Sequence, residues 1–106
     1  MSSTHPRHEL VDALTHPVRF SLVAALNGMD TAEFAMIRDQ LQVSDSVLSR
    51  QASQLEELGI VAIKKGYVGK RPRTWLSLTP EGRRQWTAHL AALQAIASLG
   101  VPSSTS

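Results

Sequence analysis

The spacing of the apolar residues changes at Gly59, and this change limits what the chain can fold into. Before it, apolar residues recur every three or four positions, as on one face of a helix. Residues 60–65 and 73–78 instead favour short strands, because they are rich in β-branched and aromatic side chains and have a period of two. Helical spacing resumes at Thr79 and continues to about Ser98. This order predicts a mainly α domain with a small β-hairpin, an α+β fold.

Four helices are predicted before Gly59. The first runs from Glu9 to the residue before Pro17, because proline disfavours a helical conformation in the residue that precedes it. Its apolar stripe consists of Leu10, Val11 and Leu14. The other three are predicted over residues 17–27, 31–42 and 44–58. Thr31 and Ser44 are good N-cap residues for the last two of these helices.

A hairpin with a longer loop is predicted next, because residues 66–72 contain two glycines and a proline. Thr79 then supplies an N-cap and Pro80 suits the first helical turn, so a last helix is predicted over 80–98. A chain of 106 residues has the size of one domain. We expect three segments: a flexible N-terminus (1–8), one domain (9–98) and a flexible tail (99–106).

The composition restricts the classes of function. Hydrophobic residues make up 42% and charged residues 19% of the chain, which is typical of a globular protein and argues against disorder. Cysteine is absent, so disulfides and thiolate metal sites are excluded, in keeping with a reducing compartment. The sequence has no apolar run of the ~18 residues that span a bilayer and no secretion signal. We therefore expect a cytoplasmic protein without a membrane partner.

Charge is divided unevenly along the chain. Residues 1–59 contain four basic and eight acidic side chains, a balance of −4, whereas residues 60–106 contain seven basic and one acidic, a balance of +6. Five of the cations fall within ten positions of the predicted hairpin: Lys64, Lys65, Lys70, Arg71 and Arg73. Such a cluster is either a solvated surface or a site for a polyanion such as nucleic acid.

The helices predicted over 31–42 and 44–58 are joined by a tight connection, as in a helix-turn-helix. Helical hairpins also occur for purely structural reasons, so this spacing alone does not establish DNA binding. The second helix has a predicted core stripe of Val47, Leu48, Ala52, Leu55 and Leu58. Its other face is small and hydrogen-bonding and consists, with the N-cap Ser44, of Ser46, Ser49, Arg50, Ser53 and Gln54.

This polar face suits a DNA groove better than bulk solvent. Short hydroxyl side chains allow a helix to approach DNA closely. Arg50 has the donors for a guanine or a phosphate, and Gln54 has the donor and the acceptor for an adenine edge. The hairpin cations would lie along phosphates or in a minor groove beside this helix. Together, these features predict binding to double-stranded DNA.

Three stretches carry a family resemblance: LTHPVRF at 14–20, VLSRQASQLEELGIV at 47–61 and GKRPRTWLSLTPEGR at 69–83. Over about residues 9–97 the chain resembles the winged helix-turn-helix transcriptional regulators of the MarR and ArsR type, most of all small stand-alone MarR-like domains. The resemblance implies a homodimeric, sequence-specific repressor or activator. It also implies recognition-helix roles for Ser46, Ser49, Arg50 and Ser53, and wing roles for Lys70, Arg71 and Arg73. Many relatives have His-Leu in place of Gln51-Ala52, which leaves the base preference open.

The last predicted helix suits a dimer interface. An apolar stripe at four-three-four spacing, widened by two neighbours, consists of Trp86, Leu90, Leu93 and Ala97 with His89 and Ile96. It would either pack on its own domain or pair with a second copy, together with Leu10, Val11 and Leu14. We favour pairing, because so small a domain has little core to cover a long helix. A two-fold dimer would match a pseudo-palindromic operator, with recognition helices roughly 34 Å apart.

The sequence gives less support to other functions. It contains neither a Ser-His-acid combination nor a phosphate-binding glycine loop, so no enzyme activity and no cofactor are predicted. A zinc or nickel site can be drawn from His5, His8, Asp12 and His16, but two of these lie in the segment expected to fray, and no metal is predicted. A winged helix for protein contact is an alternative that the basic hairpin disfavours. The resemblance also allows an unidentified small-molecule effector near Trp86, Met29 and Met36.

Overall fold

The computed structural model describes residues 5–100. Two 3-10 turns (Pro6–Glu9 and Asp12–Leu14) precede α1 (Pro17–Asn27), β1 (Ala32–Glu33), α2 (Phe34–Leu41), α3 (Asp45–Glu57), β2 (Val61–Val68), β3 (Arg71–Leu78) and α4 (Pro80–Leu99). The α+β architecture of helices, hairpin and final helix is as predicted. Of the ends expected to be flexible, residues 1–4 and 101–106 lie outside the described residues.

Side-chain caps define where the helices begin. At α3, Ser44 Oγ accepts a hydrogen bond from the Val47 N–H (3.2 Å). At α4, Thr79 Oγ1 accepts one from the Gly82 N–H (2.8 Å). The predicted starts of α3 and α4 are therefore confirmed. At α1 the cap is His16, whose Nδ1 accepts from the Val18 N–H (3.1 Å).

The predicted first helix is wrong, because the segment before α1 forms two 3-10 turns instead. Leu10 and Val11 are extended between these turns, with ψ of 143° and 113°. The Val11 N–H donates to His89 Nδ1 (3.0 Å) on α4 rather than to a helical carbonyl. A tertiary hydrogen bond thus ties the N-terminal segment to α4.

The third predicted helix begins later than expected. Thr31 is not its N-cap; Ala32 and Glu33 pair with β3 instead, and α2 starts at Phe34 without a side-chain cap. Ala32 is only 2% exposed, so burial in the sheet outweighs the local capping signal. The result is a three-stranded antiparallel sheet in the order β1-β3-β2.

The hairpin is longer, and its loop shorter, than predicted. β2 and β3 stay paired as far as Val68 and Arg71, so the expected longer loop is wrong and only Gly69 and Lys70 make the turn. Gly69 has a φ of 63°, whereas Lys70 is not left-handed, which is the pattern of a type II′ turn. Pro72 is tolerated because β1 stops short of it and leaves β3 with one neighbouring strand there.

The core lies between α1, α2, α3 and the base of the sheet. Its fully buried side chains include Leu22, Leu26, Ile37, Leu48, Leu55, Ile60 and Leu76. Two residues of the predicted α3 stripe lie outside it, Val47 (39% exposed) and Leu58 (54% exposed). The side of α3 between them is occupied by Gln51, which is hydrogen bonded to α1, so the apolar stripe is narrower than predicted.

α4 approaches the base of the hairpin closely at Gly82. A Cβ atom at this position would lie 2.1 Å from the Ile60 carbonyl oxygen and 2.9 Å from Leu78 Cδ1. Thr79 closes the same junction, because its N–H donates to Ile60 O (3.0 Å) and its hydroxyl to Gly59 O (2.6 Å). The junction therefore requires a glycine in the first turn of α4.

Replacing Gly82 with alanine is expected to destabilise the protein, although alanine favours a helix interior by about 1 kcal/mol. Overlap with the Ile60 carbonyl should lower the free energy of unfolding by roughly 1–3 kcal/mol, measured by urea denaturation. Gly28→Ala is the matched control, because the added Cβ there approaches no atom closer than 3.9 Å. Unchanged stability of Gly82→Ala would contradict the close approach.

Candidate nucleic-acid interface

α3 presents the polar face predicted from its sequence. The exposed residues of this face are Ser46, Ser49, Arg50, Ser53 and Gln54. The hydroxyl of the N-cap Ser44 lies 3.2 Å from that of Ser46. No acidic residue occurs between Asp45 and Glu56, so this face combines short hydroxyls with one cation. A helix with such a face fits the major groove of B-DNA, which is about 12 Å wide.

An ion-pair cluster holds the start of α3 against α2. Arg38 Nε lies 2.9 Å from Asp39 Oδ1, and Arg38 Nη1 lies 2.8 Å from Asp45 Oδ1. Both bonds raise the pKa of Arg38 above its ordinary value, and the bond to Asp39 contributes most. The connection between α2 and α3 is short because Gln42 adopts the left-handed conformation (φ 58°) and ends α2. Arg38 thereby offsets the negative charge of Asp45 at the leading end of α3.

A hydrogen-bond network that the sequence does not predict joins α1 to α3. Arg19 donates from Nε to Gln51 Oε1 (2.7 Å) and from Nη2 to Gln54 Oε1 (2.5 Å). Gln51, one of the two positions at which many relatives have other residues, is turned toward α1 and is 9% exposed. The signal available in the sequence is that Gln51 falls within the apolar stripe of α3, where a polar side chain needs a partner.

The hairpin places its cations on two faces rather than one. Cross-strand partners share a face. One face carries Lys64, Arg71 and Arg73, the opposite face carries Lys65, and Lys70 lies in the turn. Arg73 Nη1 is 3.5 Å from Glu33 Oε1 of β1, so part of its charge is balanced within the protein. The remaining cations have no ion-pair partner among residues 5–100.

A groove of about 550 Å³ lies between α3 and the hairpin. Its polar lining consists of Ser49, Ser53 and Glu56 of α3 with Lys65 and Thr74 of the hairpin, and its apolar lining of Phe34, Ala52, Ile63 and Leu76. The structure thus brings the hydroxyl face of α3 next to Lys65. The far end of the hairpin is exposed and partly apolar, since Tyr67 is 72% and Val68 54% exposed.

The residues predicted for a dimer interface fall into two groups. Leu14, Trp86 and His89 are buried within the single chain, and Trp86 packs on Phe20 with ring centroids 4.9 Å apart. The others retain accessible surface: Leu10, Val11, Leu90, Leu93, Ile96 and Ala97. No residue of α4 after Ala92 is buried, so the end of this helix keeps an apolar side uncovered.

The alternatives considered from the sequence were a metal site, a membrane segment and an effector site near Trp86, Met29 and Met36. Within residues 5–100 no three His, Cys, Asp or Glu side chains are grouped so that they could hold a metal ion. Two of the candidate ligands act locally instead, because His5 and His16 each accept a backbone N–H through Nδ1. None of the helices in this range has the length and hydropathy of a membrane-spanning segment. Of the residues considered for an effector, Trp86 is in the core and Met36 is 46% exposed on α2.

The chain is similar to known proteins in both sequence and structure. Residues 18–97 match the family model of the winged helix DNA-binding domain. An uncharacterized protein of Methanocaldococcus jannaschii is 33% identical over 66 residues, which are 62% of this chain and 72% of that protein. A transcriptional regulator homologue from Pyrococcus horikoshii has a similar structure, with a TM-score of 0.77 and 28% identity over 85% of this chain and 90% of that one. The structure of a MarR-family regulator from Enterococcus faecalis superposes with a TM-score of 0.70. It is 22% identical in sequence, and the match covers 83% of this chain and 78% of that one.

The helix pair α2–α3 and a sheet with a projecting hairpin are the parts of a winged helix-turn-helix, with β2–β3 as the wing. The chain belongs to the winged helix DNA-binding domain family. Its structural neighbours include a transcriptional regulator homologue and a MarR-family regulator, which share this fold.

His89 is a buried histidine that is held in its neutral form. It is 2% exposed, and its Nδ1 accepts the hydrogen bond from Val11. Burial lowers the pKa of His89 below its ordinary value of 6.5, and a hydrogen bond with the Leu14 backbone opposes this without cancelling it. A proton on Nδ1 would remove the acceptor that holds the N-terminal segment.

We expect the protein to lose stability as the pH falls through 6.5, the ordinary pKa of histidine. The unfolded chain takes up a proton at His89 near pH 6.5, whereas the folded chain does so only at lower pH, so protonation favours unfolding until the folded pKa is passed. His89→Gln, which keeps a neutral acceptor, should show a smaller loss. Urea denaturation at a series of pH values on both sides of 6.5 measures the free energy of unfolding of both proteins. An equal loss in wild type and His89→Gln would contradict the role of His89.

Proposed function

We propose that the protein binds a pseudo-palindromic operator in double-stranded DNA as a homodimer and so controls access to a promoter. In this proposal α3 enters the major groove, and the wing contacts the flanking backbone or minor groove. The observation that carries it is the exposed polar face of α3, which has no acidic residue between Asp45 and Glu56, beside a basic hairpin. A module for protein contact has no need of this cluster of cations.

The proposed DNA contacts follow from the two elements. On α3 they are Ser44, Ser46, Ser49, Arg50, Ser53 and Gln54. On the wing they are Lys64, Lys65, Lys70, Arg71 and Arg73. Arg50 is the cation of the α3 face and has the fork of donors that guanine O6 and N7 accept. Lys65 shares a groove with the α3 hydroxyls, which suits a phosphate at the edge of the same major groove.

The wing is long enough to reach beyond that groove. Its strands have eight residues each, which at about 3.4 Å per residue gives an arm of roughly 27 Å. Lys70 and Arg71 stand at its end, where Tyr67 is exposed on the opposite face from Arg71. Cations and an exposed aromatic ring at the same end of the wing suit the phosphates and apolar walls of a neighbouring minor groove.

Two sets of substitutions separate base reading from phosphate contact. The double variant Lys70→Gln, Arg71→Gln should weaken binding to all sequences alike and reduce the slope of log K against log salt by about 2, because two phosphate contacts are lost. Arg50→Ala should in addition lower discrimination at one base pair by about 1–3 kcal/mol. Selection from random duplexes at about 50 and 200 mM salt, followed by titration of the selected site, measures both effects.

Arg7→Gln is the matched control for charge, because Arg7 is exposed in the first 3-10 turn, which lies outside both proposed DNA-contacting elements. Equal effects of Arg50→Ala on selected and random DNA would contradict base reading by Arg50. Weak binding without an enriched motif would favour protein contact, or a regulator whose DNA-competent form requires an effector.

The dimer proposal rests on the uncovered end of α4. This helix has 20 residues, about 30 Å, and its residues beyond Ala92 extend past the core. A groove of about 400 Å³ beside it is lined in part by Leu10, Phe20 and Leu93, and presents an apolar seat for a second copy. We assign the contact to Leu10, Val11, Leu90, Leu93, Ile96 and Ala97, with Leu14, Trp86 and His89 supporting them from the core.

Leu93→Asp should shift the protein toward monomer, because a carboxylate in an apolar contact loses its hydration without gaining a partner. Sedimentation at a series of protein concentrations measures this shift, which should weaken association at least about tenfold. Gln94→Asp introduces the same charge at the adjacent exposed position and serves as the control. A dimer equally strong in both variants would place the interface elsewhere.

A further inference from the structure

We infer that Arg19 of α1 is a further DNA-binding residue, which contacts a backbone phosphate on the side of the major groove opposite the wing. This inference rests on the proposed function, in which α3 enters the major groove. Arg19 lies in LTHPVRF (14–20), the stretch of the family resemblance that supplies none of the DNA contacts proposed above.

Arg19 differs in its partners from the other half-buried arginines in the described part of the chain. These are Arg38 and Arg73, and each forms an ion pair with a carboxylate. The partners of Arg19 are instead two neutral amides, because Nε donates to Gln51 Oε1 (2.7 Å) and Nη2 to Gln54 Oε1 (2.5 Å). None of the ion pairs in this part of the chain includes Arg19. A cation that is partly removed from water without a counter-ion is costly, so this position favours an anion.

The guanidinium of Arg19 keeps one edge free for that anion. The two glutamines use one N–H of Nε and one of Nη2. Both N–H groups of Nη1 and the second N–H of Nη2 have no hydrogen-bond partner within residues 5–100. They form the end of the planar fork, which matches two oxygens of a phosphate. Because the glutamines already hold the side chain, a phosphate contact would cost little of its rotational freedom.

Arg19 and Lys65 lie on opposite sides of the polar face of α3. Lys65 lines a groove with Ser49, whereas Arg19 bonds to Gln51 and Gln54. At 3.6 residues per turn, Ser49 is roughly 140–160° from these two glutamines around the helix axis. A helix in the major groove has the phosphate backbone of one strand on each side. In the proposed complex, one cation therefore faces each strand.

The test measures binding of the full chain to its selected DNA site at a series of salt concentrations. In Arg19→Gln the slope of log K against log salt should fall in magnitude by about 1, because one phosphate contact is lost. Affinity at about 50 mM salt should fall roughly ten- to hundredfold, as expected for a charge-assisted hydrogen bond. The base preference should stay as in wild type, since a phosphate carries no sequence information. The control Arg7→Gln, which removes an exposed charge from the first 3-10 turn, should keep the wild-type slope.

Neutralising single phosphates locates the contact. Each phosphate of the selected site is replaced in turn by an uncharged methylphosphonate, and binding of wild type, Arg19→Gln and Lys65→Gln is compared. One replacement should weaken wild type but not Arg19→Gln, and a different one should weaken wild type but not Lys65→Gln. The two phosphates should border the same major groove on opposite strands.

Urea denaturation shows whether the variant is folded. If Arg19→Gln does not fold, Arg19→Met combined with Gln51→Leu replaces it, because this pair leaves no buried amide without a partner. In a folded variant, an unchanged salt slope overturns the inference alone, and so does sensitivity to the same phosphates as in wild type. A changed base preference at an unchanged slope would make Arg19 a purely structural residue and also overturns it. Failure of wild type to enrich any motif overturns the proposed function, and this inference with it.

Discussion

The contact between the Ile60 carbonyl and the start of α4 is the one on which the arrangement of the functional elements depends. The Ile60 oxygen accepts a hydrogen bond from the Thr79 N–H, and Gly82 allows α4 to pass directly over it. α3 ends three residues before Ile60, β2 begins one residue after it, and β3 ends just before Thr79. The helix α3, the wing and the long helix α4 therefore leave from one point, and the geometry of that point sets the angles between them.

Features that depend on local chemistry could be predicted from the sequence. The starts of α3 and α4 follow from Ser44 and Thr79, because an N-cap needs only its own first turn. The conformation of the segment before α1 could not be predicted, because the Val11 N–H donates to His89, which is 78 residues away in the chain. β1 likewise depends on β3, and its pairing overrides the capping signal of Thr31.

The same distinction applies to the candidate site. Periodicity and polarity suffice to place Arg50 and the serines on an exposed face. The pairing of Arg19 with Gln51 joins residues 32 positions apart and has no local signature beyond a polar side chain in an apolar stripe. The division of the wing cations between two faces depends on strand register, which the two-residue turn at Gly69 determines. A shift of register by one residue would exchange the faces.

The short turn also bears on how the wing engages a partner. Because β2 and β3 are paired up to the residues that flank Gly69 and Lys70, the backbone of the wing is already in one conformation before any contact is made. A structureless loop of the same length would lose about 1–2 kcal/mol of backbone conformational entropy per residue on becoming ordered. The wing would lose only the freedom of its long side chains, so a larger share of the free energy of each proposed phosphate contact would be retained as affinity.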